Sequence, residues 1–256
     1  MGYSVTAVKF GNQTFPGPAT YLHSHWYDFF DLSLYYWVLQ GEGKTILVDT
    51  GMDPEHMAEA NPDTIATFGE RCAFRMDPAD RIENKLKAMG IGLADVDYVI
   101  LTHFHIDHAF NVPKFTRATF IASRQGWTNI TAPKYPQMVS VAGYPRVVWH
   151  YLTTEAWRRF RLADDGEVLP GIRVFWTGGH SLCHQAVIVE GTHGKVVLPG
   201  DIVPTYRHIE ENIPVGFCYD VIGVLDAMAR IREEGGTLVA SHDPKVLERF
   251  PGGKVC

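Results

Sequence analysis

A chain of 256 residues with 46% hydrophobic and 20% charged residues can bury a sizeable core, as one large domain or two small ones. Its net charge of −6 gives no general attraction for nucleic acid or anionic membrane, so neither is expected as a partner. Four scattered cysteines without a CxxC pair exclude a disulfide framework and fit a reducing compartment. The first residues lack a secretory pattern, and no apolar run nears the ~20 residues of a membrane span, so a cytoplasmic protein is expected.

In chain order, Val5–Phe10 reads as a strand. Residues 17–32 are rich in aromatics and turn formers and read as an irregular loop. Leu34–Gln40 and Lys44–Asp49 are apolar runs joined by Gly41-Glu42-Gly43, a hairpin pattern. Asp77-Pro78 supplies an N-cap and a first-turn proline. Ile82, Leu86 and Met89 follow at helical spacing, and Gly90 ends that helix. Asp97–Thr102 and Thr119–Ala122 read as buried strands. Residues 124–160, with six Trp or Tyr residues, fit a lid, a substrate wall or an oligomer contact, which leaves a homodimer open. Ile172–Trp176, Gln185–Val189, Lys195–Leu198 and Thr237–Ala240 read as strands between glycine-rich turns. Tyr219–Glu234 is an amphipathic helix closed by Gly235-Gly236. Strands in both halves with helices late in each imply an α/β chain of two sheets packed together, helices outside.

Histidine carries the chemical signal. Of twelve, three fall in His103-Phe104-His105-Ile106-Asp107-His108, directly after a strand. Alternate residues of an extended segment share a face, so His103 and His105 can address one point. A turn into a helix would aim Asp107 and His108 at a second. Imidazole and carboxylate suit zinc and similar divalent cations. Two complete ligand sets need more donors, and His180, Asp201 and His242 each follow a strand and small residues that allow close backbone approach. A lone histidine at a strand end is more often packing, but this ordered set points to metal.

His103 to His108 match the HxHxDH signature of the metallo-β-lactamase superfamily, which the chain resembles over nearly its whole length. Val48-Asp49-Thr50-Gly51, His180, Asp201 and His242 match its other motifs. The resemblance implies a four-layer αβ/βα sandwich, residues 1–256 as a single domain, and two divalent metal ions, zinc by expectation. His103, His105 and His180 would hold one ion, Asp107, His108 and His242 the other, and Asp201 would bridge them. Asp49 would orient a ligand histidine and His184 would stand behind the ligands.

Within the superfamily, Gly179-His180-Ser181-Leu182-Cys183-His184-Gln185 is similar to the GHxxGHQ of the N-acyl-homoserine lactonase group. Cys183 stands where that group has glycine. Pro204 stands where it has a substrate-contacting tyrosine, with Tyr206 two residues on. The resemblance implies that a metal-bridging hydroxide opens a lactone or related cyclic carbonyl, an activity called quorum quenching when the lactone is a signal. A glyoxalase II-type thioesterase and a cyclic amide hydrolase are the alternatives. Asp107 is the expected proton shuttle and Tyr206 a candidate substrate donor. Trp26, Tyr27, Phe29 and Trp127 are candidates to line an apolar pocket.

Overall fold

The computed structural model describes residues 2–138 and 143–256. One sheet has six strands, each beside the next in chain order: β1 (Ser4–Pro16), β2 (Phe29–Gly41), β3 (Lys44–Val48), β4 (Tyr98–Ile100), β5 (Thr119–Ser123) and β6 (Phe160–Ala163). The pairs β1–β2 and β2–β3 are antiparallel, and the pairs from β3 to β6 are parallel. The second sheet has β7 (Gly166–Leu169), β8 (Ile172–Trp176), β9 (Gln185–Gly191), β10 (Gly194–Leu198) and β11 (Thr237–Leu238), antiparallel except for β10–β11. The helices are α1 (Gly17–Thr20), α2 (Pro54–Phe68), α3 (Ile82–Ala88), α4 (Ile106–Ala109), α5 (Arg124–Thr131), α6 (Arg146–Thr154), α7 (Tyr206–Glu211), α8 (Val221–Glu234) and α9 (Val246–Arg249).

Period-two alternation divides the strand side chains between two faces. In β2, Tyr35, Trp37 and Leu39 point into the space between the sheets, where they meet Val187, Val189, Val196 and Leu198. Leu34, Tyr36 and Val38 point the other way, against Met57, Leu86 and Val148 of the helices. The same split in β9 and β10 leaves Ala186, Ile188 and Val197 for α8, which covers them with Val224, Met228 and Ile231. Strands buried on both faces read as continuous apolar runs, as they do here. Helix, sheet, sheet and helix form the four layers.

Several elements differ from the sequence expectation. β2 already begins at Phe29, inside the stretch that reads as loop, and α1 precedes it. α2 is not evident from the sequence because Pro62 lies in its interior, a residue that argues against a helix. The helix expected from Asp77 is instead one 3₁₀ turn, which Asp77 caps by accepting from the Ala79 N–H at 2.8 Å. The chain is then extended at Arg81 before α3 begins. β11 stops at Leu238 because the following chain leaves the sheet: Ser241 N–H donates to the Val203 carbonyl and His242 N–H to the Pro204 carbonyl. The segment 124–160 holds α5, α6 and the start of β6, with 139–142 outside the described residues. Among the described residues no helix is long and apolar enough to cross a membrane. The four cysteines are free.

Candidate metal centre

Strand ends from both sheets deliver the cluster. β4 runs into His103 and His105, and α4, starting right after His105, turns Asp107 and His108 inward. Gln185 at the head of β9 ties the sheets together here: its backbone N–H donates to the Thr102 carbonyl at 2.8 Å and its side-chain amide to the Leu101 carbonyl at 2.7 Å. The His180 loop is fixed to the start of α8, where the Tyr219 and Asp220 N–H groups donate to the Gly179 carbonyl at 2.9 and 3.0 Å. Gly179 adopts φ 70°, and a Cβ there would meet Val224 backbone nitrogen at 2.7 Å, so only glycine lets loop and helix touch.

Three sets of donor atoms converge: His103, His105 and His180; Asp107, His108 and His242; and His103, His108 and Asp201. Asp201 faces both histidine groups. Its Oδ2 lies 3.5 Å from His180 Nε2 and 3.9 Å from His103 Nε2. Its Oδ1 lies 3.0 Å from His242 Nε2 and 3.5 Å from His108 Nε2. Asp107 Oδ2 is 3.5 Å from His108 Nε2 and 3.7 Å from His242 Nε2.

The opposite ring nitrogens are held by acceptors. His108 Nδ1–H donates to Asp49 Oδ2 at 2.8 Å, His103 Nδ1–H to Thr102 Oγ1 at 3.0 Å, His180 Nδ1–H to the Phe217 carbonyl at 2.8 Å, and His242 Nδ1–H to the Ser33 carbonyl at 3.1 Å. These four rings therefore turn Nε2 toward the centre, leaving it as the atom that would ligate an ion. His105 Nδ1 lies 3.0 Å from both His103 Nε2 and His180 Nε2, so three ring nitrogens meet with at most one proton among them. His108 Nε2 is buried without a hydrogen-bond partner. Converging ligand atoms and an orphaned buried nitrogen fit divalent cations, and the nitrogen and carboxylate donors suit zinc.

Burial, reinforced by neighbouring histidines, holds His103 and His105 well below the usual imidazole range, and burial holds His180 below it. These rings stay neutral, as ligands must. Burial also opposes charge on His108 and His242, but carboxylates prevail and push both upward: Asp107, Asp201 and Asp49 around His108, Asp201 and Asp107 around His242. Burial would raise Asp201, yet His242 and His108 hold it well below the carboxylate range.

Asp49 sits wholly buried in the left-handed region at φ 62°, held by the Thr102 N–H and O–H at 2.8 and 2.7 Å. His184 anchors the bridging residue. Its Nε2 accepts from the Asp201 N–H at 2.9 Å, and its Nδ1–H donates to Thr177 Oγ1 at 2.6 Å. Sequence reasoning misses Thr102, Thr177 and the Phe217 and Ser33 carbonyls in these roles, since side-chain identity does not encode a backbone acceptor and threonine is common at strand ends.

A cleft of about 250 Å³ opens on this cluster. His105, Asp107, His180, Asp201 and His242 form its floor, with walls of Phe15, Leu32, Leu34, Phe68, Phe74 and Phe217 and with Pro204 also present. Four residues expected to line it lie elsewhere. Trp26 and Tyr27, on the chain leading into β2, and Phe29, its first residue, are 65%, 97% and 38% exposed, after left-handed turns at His23 and His25. Arg71 covers the Phe29 ring at 4.7 Å. Trp127 packs from α5 against Phe104, Trp149 and Phe160 in the core beneath the first sheet. Tyr206, expected as a substrate donor, opens α7 and turns into the core between the sheets, with the Arg249 guanidinium 3.5 Å from its ring. Its hydroxyl therefore does not reach the cleft. His23 and His25, two residues apart ahead of β2, belong to no ligand set among the described residues, and His25 Nδ1 pairs with Asp28 at 2.9 Å.

Two facing sheets with outer helices, and a His/Asp cluster at one sheet edge, describe a metal-dependent hydrolase scaffold. The chain belongs to the metallo-beta-lactamase superfamily, whose family model matches residues 31–242, from β2 to the last histidine of the cluster. Among curated proteins it is similar to an N-acyl homoserine lactonase of Bacillus thuringiensis, 31% identical over 206 residues, covering 79% of this chain and 76% of that protein. It is also similar to the N-acyl homoserine lactonase AttM of Rhizobium radiobacter, 25% identical over 216 residues, with coverages of 78% and 80%. Among solved structures, an N-acyl homoserine lactone hydrolase with N-hexanoyl-L-homoserine at its catalytic metal centre superposes with a TM-score of 0.81, at 24% identity and 98% coverage of both chains.

Proposed function

We propose that this chain is a dinuclear metal hydrolase, zinc-dependent by its donor set, that opens the ring of a neutral lactone bearing an apolar tail. The observation that carries this is Asp201, whose carboxylate stands between the two histidine groups: Oδ2 within 3.9 Å of His103 and His180, Oδ1 within 3.5 Å of His108 and His242, with His242 also 3.2 Å from Oδ2. His103, His105 and His180 would hold one ion, and Asp107, His108 and His242 the other. Bound there, the two cations supply Lewis acidity, lowering the pKa of a water and polarising a carbonyl. Asp107 lies at both the cluster and the cleft, which supports its carboxylate as the group that would carry a proton to the leaving alkoxide. The phenylalanine walls bury the tail and align the ring over the floor. Residues 1–256 are read as one domain, because the donors come from loops of both sheets.

The cleft wall argues against a glutathione thioester. Among its described lining residues there is no Lys or Arg to meet a multiply anionic substrate, and Asp63 would repel one. Pro204 offers no hydroxyl to a substrate, so the apolar walls would have to hold a lactone without that contact. An acyl-homoserine lactone of the kind named for the relatives fits the apolar walls, and quorum quenching would follow. A cytoplasmic location is read from the free cysteines. A homodimer is kept as a state to be measured by light scattering.

The test compares zinc-loaded protein with chelated protein on N-hexanoyl homoserine lactone, an alkyl γ-lactone, a cyclic amide and a glutathione thioester. Lactone hydrolysis that needs metal and falls by at least ~10³-fold in His108→Ala is expected. Turnover of the thioester alone, or full activity in that variant, would reject the reading.

A further inference from the structure

We infer that Thr102 is a positioning residue that couples the two metal groups through one carboxylate. Its hydroxyl donates to Asp49 Oδ2 at 2.7 Å and accepts from His103 Nδ1–H at 3.0 Å. The same Asp49 Oδ2 accepts from His108 Nδ1–H at 2.8 Å. The hydroxyl proton has one use, since Asp49 is a pure acceptor, and this leaves only lone pairs for His103. A continuous path results: His103 Nδ1–H to Thr102 Oγ1, Thr102 O–H to Asp49 Oδ2, and His108 Nδ1–H to that same oxygen. His103 belongs to the set with His105 and His180, and His108 to the set with Asp107 and His242. One short relay thereby fixes the tautomer of a ligand in each set.

Every member of the relay is fully buried, so water cannot take the place of the hydroxyl. Without it, His103 Nδ1–H has no acceptor. The ring then gains by moving its proton to Nε2, toward His105 Nδ1, and a protonated Nε2 cannot ligate. Asp49 meanwhile loses one of its donors, and with it part of the restraint on His108. The backbone is not affected, because Thr102 N–H still donates to Asp49 Oδ1 at 2.8 Å.

This inference rests on the two-metal reading above, and its test is read from metal binding. Thr102→Val keeps the side-chain shape and removes the hydroxyl; Thr102→Ser keeps the hydroxyl and removes the methyl. Cobalt(II) and zinc titrations, followed by calorimetry and by the cobalt d–d absorption bands, measure stoichiometry and affinity. The Val variant is expected to bind the first ion about ten- to a hundred-fold more weakly, to bind the second more weakly as well, and to show altered cobalt bands. The Ser variant is expected within about threefold of the unaltered protein. Unchanged affinities in Val, or equal losses in Val and Ser, would overturn the coupling role. If the unaltered protein binds two ions but opens no lactone, only the proposed activity falls. If it binds none, both fall.

Discussion

Gly200, just before the bridging aspartate, adopts φ 53°, and a Cβ there would run into His184 Nε2. That nitrogen is the one that accepts the Asp201 N–H. An alanine thus meets two separate obstacles. The left-handed backbone costs about 1–2 kcal/mol for any L side chain, and the methyl displaces the ring that fixes Asp201. Gly43 offers a control, since it has φ 68° and a Cβ added there would meet nothing within 4 Å. In urea unfolding Gly43→Ala is expected to lose about 1–2 kcal/mol with zinc affinity intact. Gly200→Ala is expected to lose more and to bind zinc at least about tenfold more weakly, the size of effect seen when a ligand's supporting contacts are removed. Equal zinc affinity in the two variants would show that the His184 contact does not place the bridge.

Among the elements, α2, α3 and the turn after α4 are joined by charge rather than by apolar packing alone. Lys114 reaches both Asp53, at the start of α2, and Glu83 of α3, the latter at 2.9 Å, while Arg81 pairs with Asp53 at 3.4 Å. The Asp53 side chain is only 2% exposed, so removing Lys114 leaves a buried carboxylate short of a cation. Lys114→Met is expected to cost about 2 kcal/mol, discounted for the remaining Arg81, which lowers Tm by about 4–8 °C. Burial would raise Glu83, but Lys114 outweighs it and holds the carboxyl below its ordinary value of 4.5. Its contribution is therefore present above that value and lost as pH falls through the lower, folded-state pKa. In calorimetric scans the variant should show a shallower loss of Tm below about pH 4.5 than the unaltered protein; parallel profiles would contradict the role given to Lys114. Elements like these mark where sequence reading stops. Strands buried on both faces are legible because their apolar runs have strand length, and the His/Asp cluster because its spacing is unusual. α2 is hidden by Pro62, and its wall residue Phe68 with it. Tyr206 is misplaced because the start of a helix sets where a side chain points, and residue spacing alone does not locate that start.

At the scale of the molecule, the cluster is a clasp between sheets. His103, His105, Asp107 and His108 follow β4 of the first sheet, whereas His180, Asp201 and His242 come from the loops after β8, β10 and β11 of the second. Unfolding separates these groups along about 140 residues of chain, so an ion that binds the folded state has no comparable site in the unfolded one. Linkage then requires metal to stabilise the whole fold, by about 2.7 kcal/mol per site at free metal a hundredfold above Kd. For a chain of this length that is an upward shift of Tm on the order of 10 °C. The apo protein bears the opposite burden: ring nitrogens crowded together and a buried His108 Nε2 without a hydrogen-bond partner destabilise it until an ion arrives. Two scans, one with zinc and one with chelator, measure the difference. His242→Ala should erase part of the shift and His103→Ala part of it too, since each takes a ligand from one side of the clasp. A Tm indifferent to zinc would mean that the seven side chains meet without holding an ion, and the lactone reading would go with it.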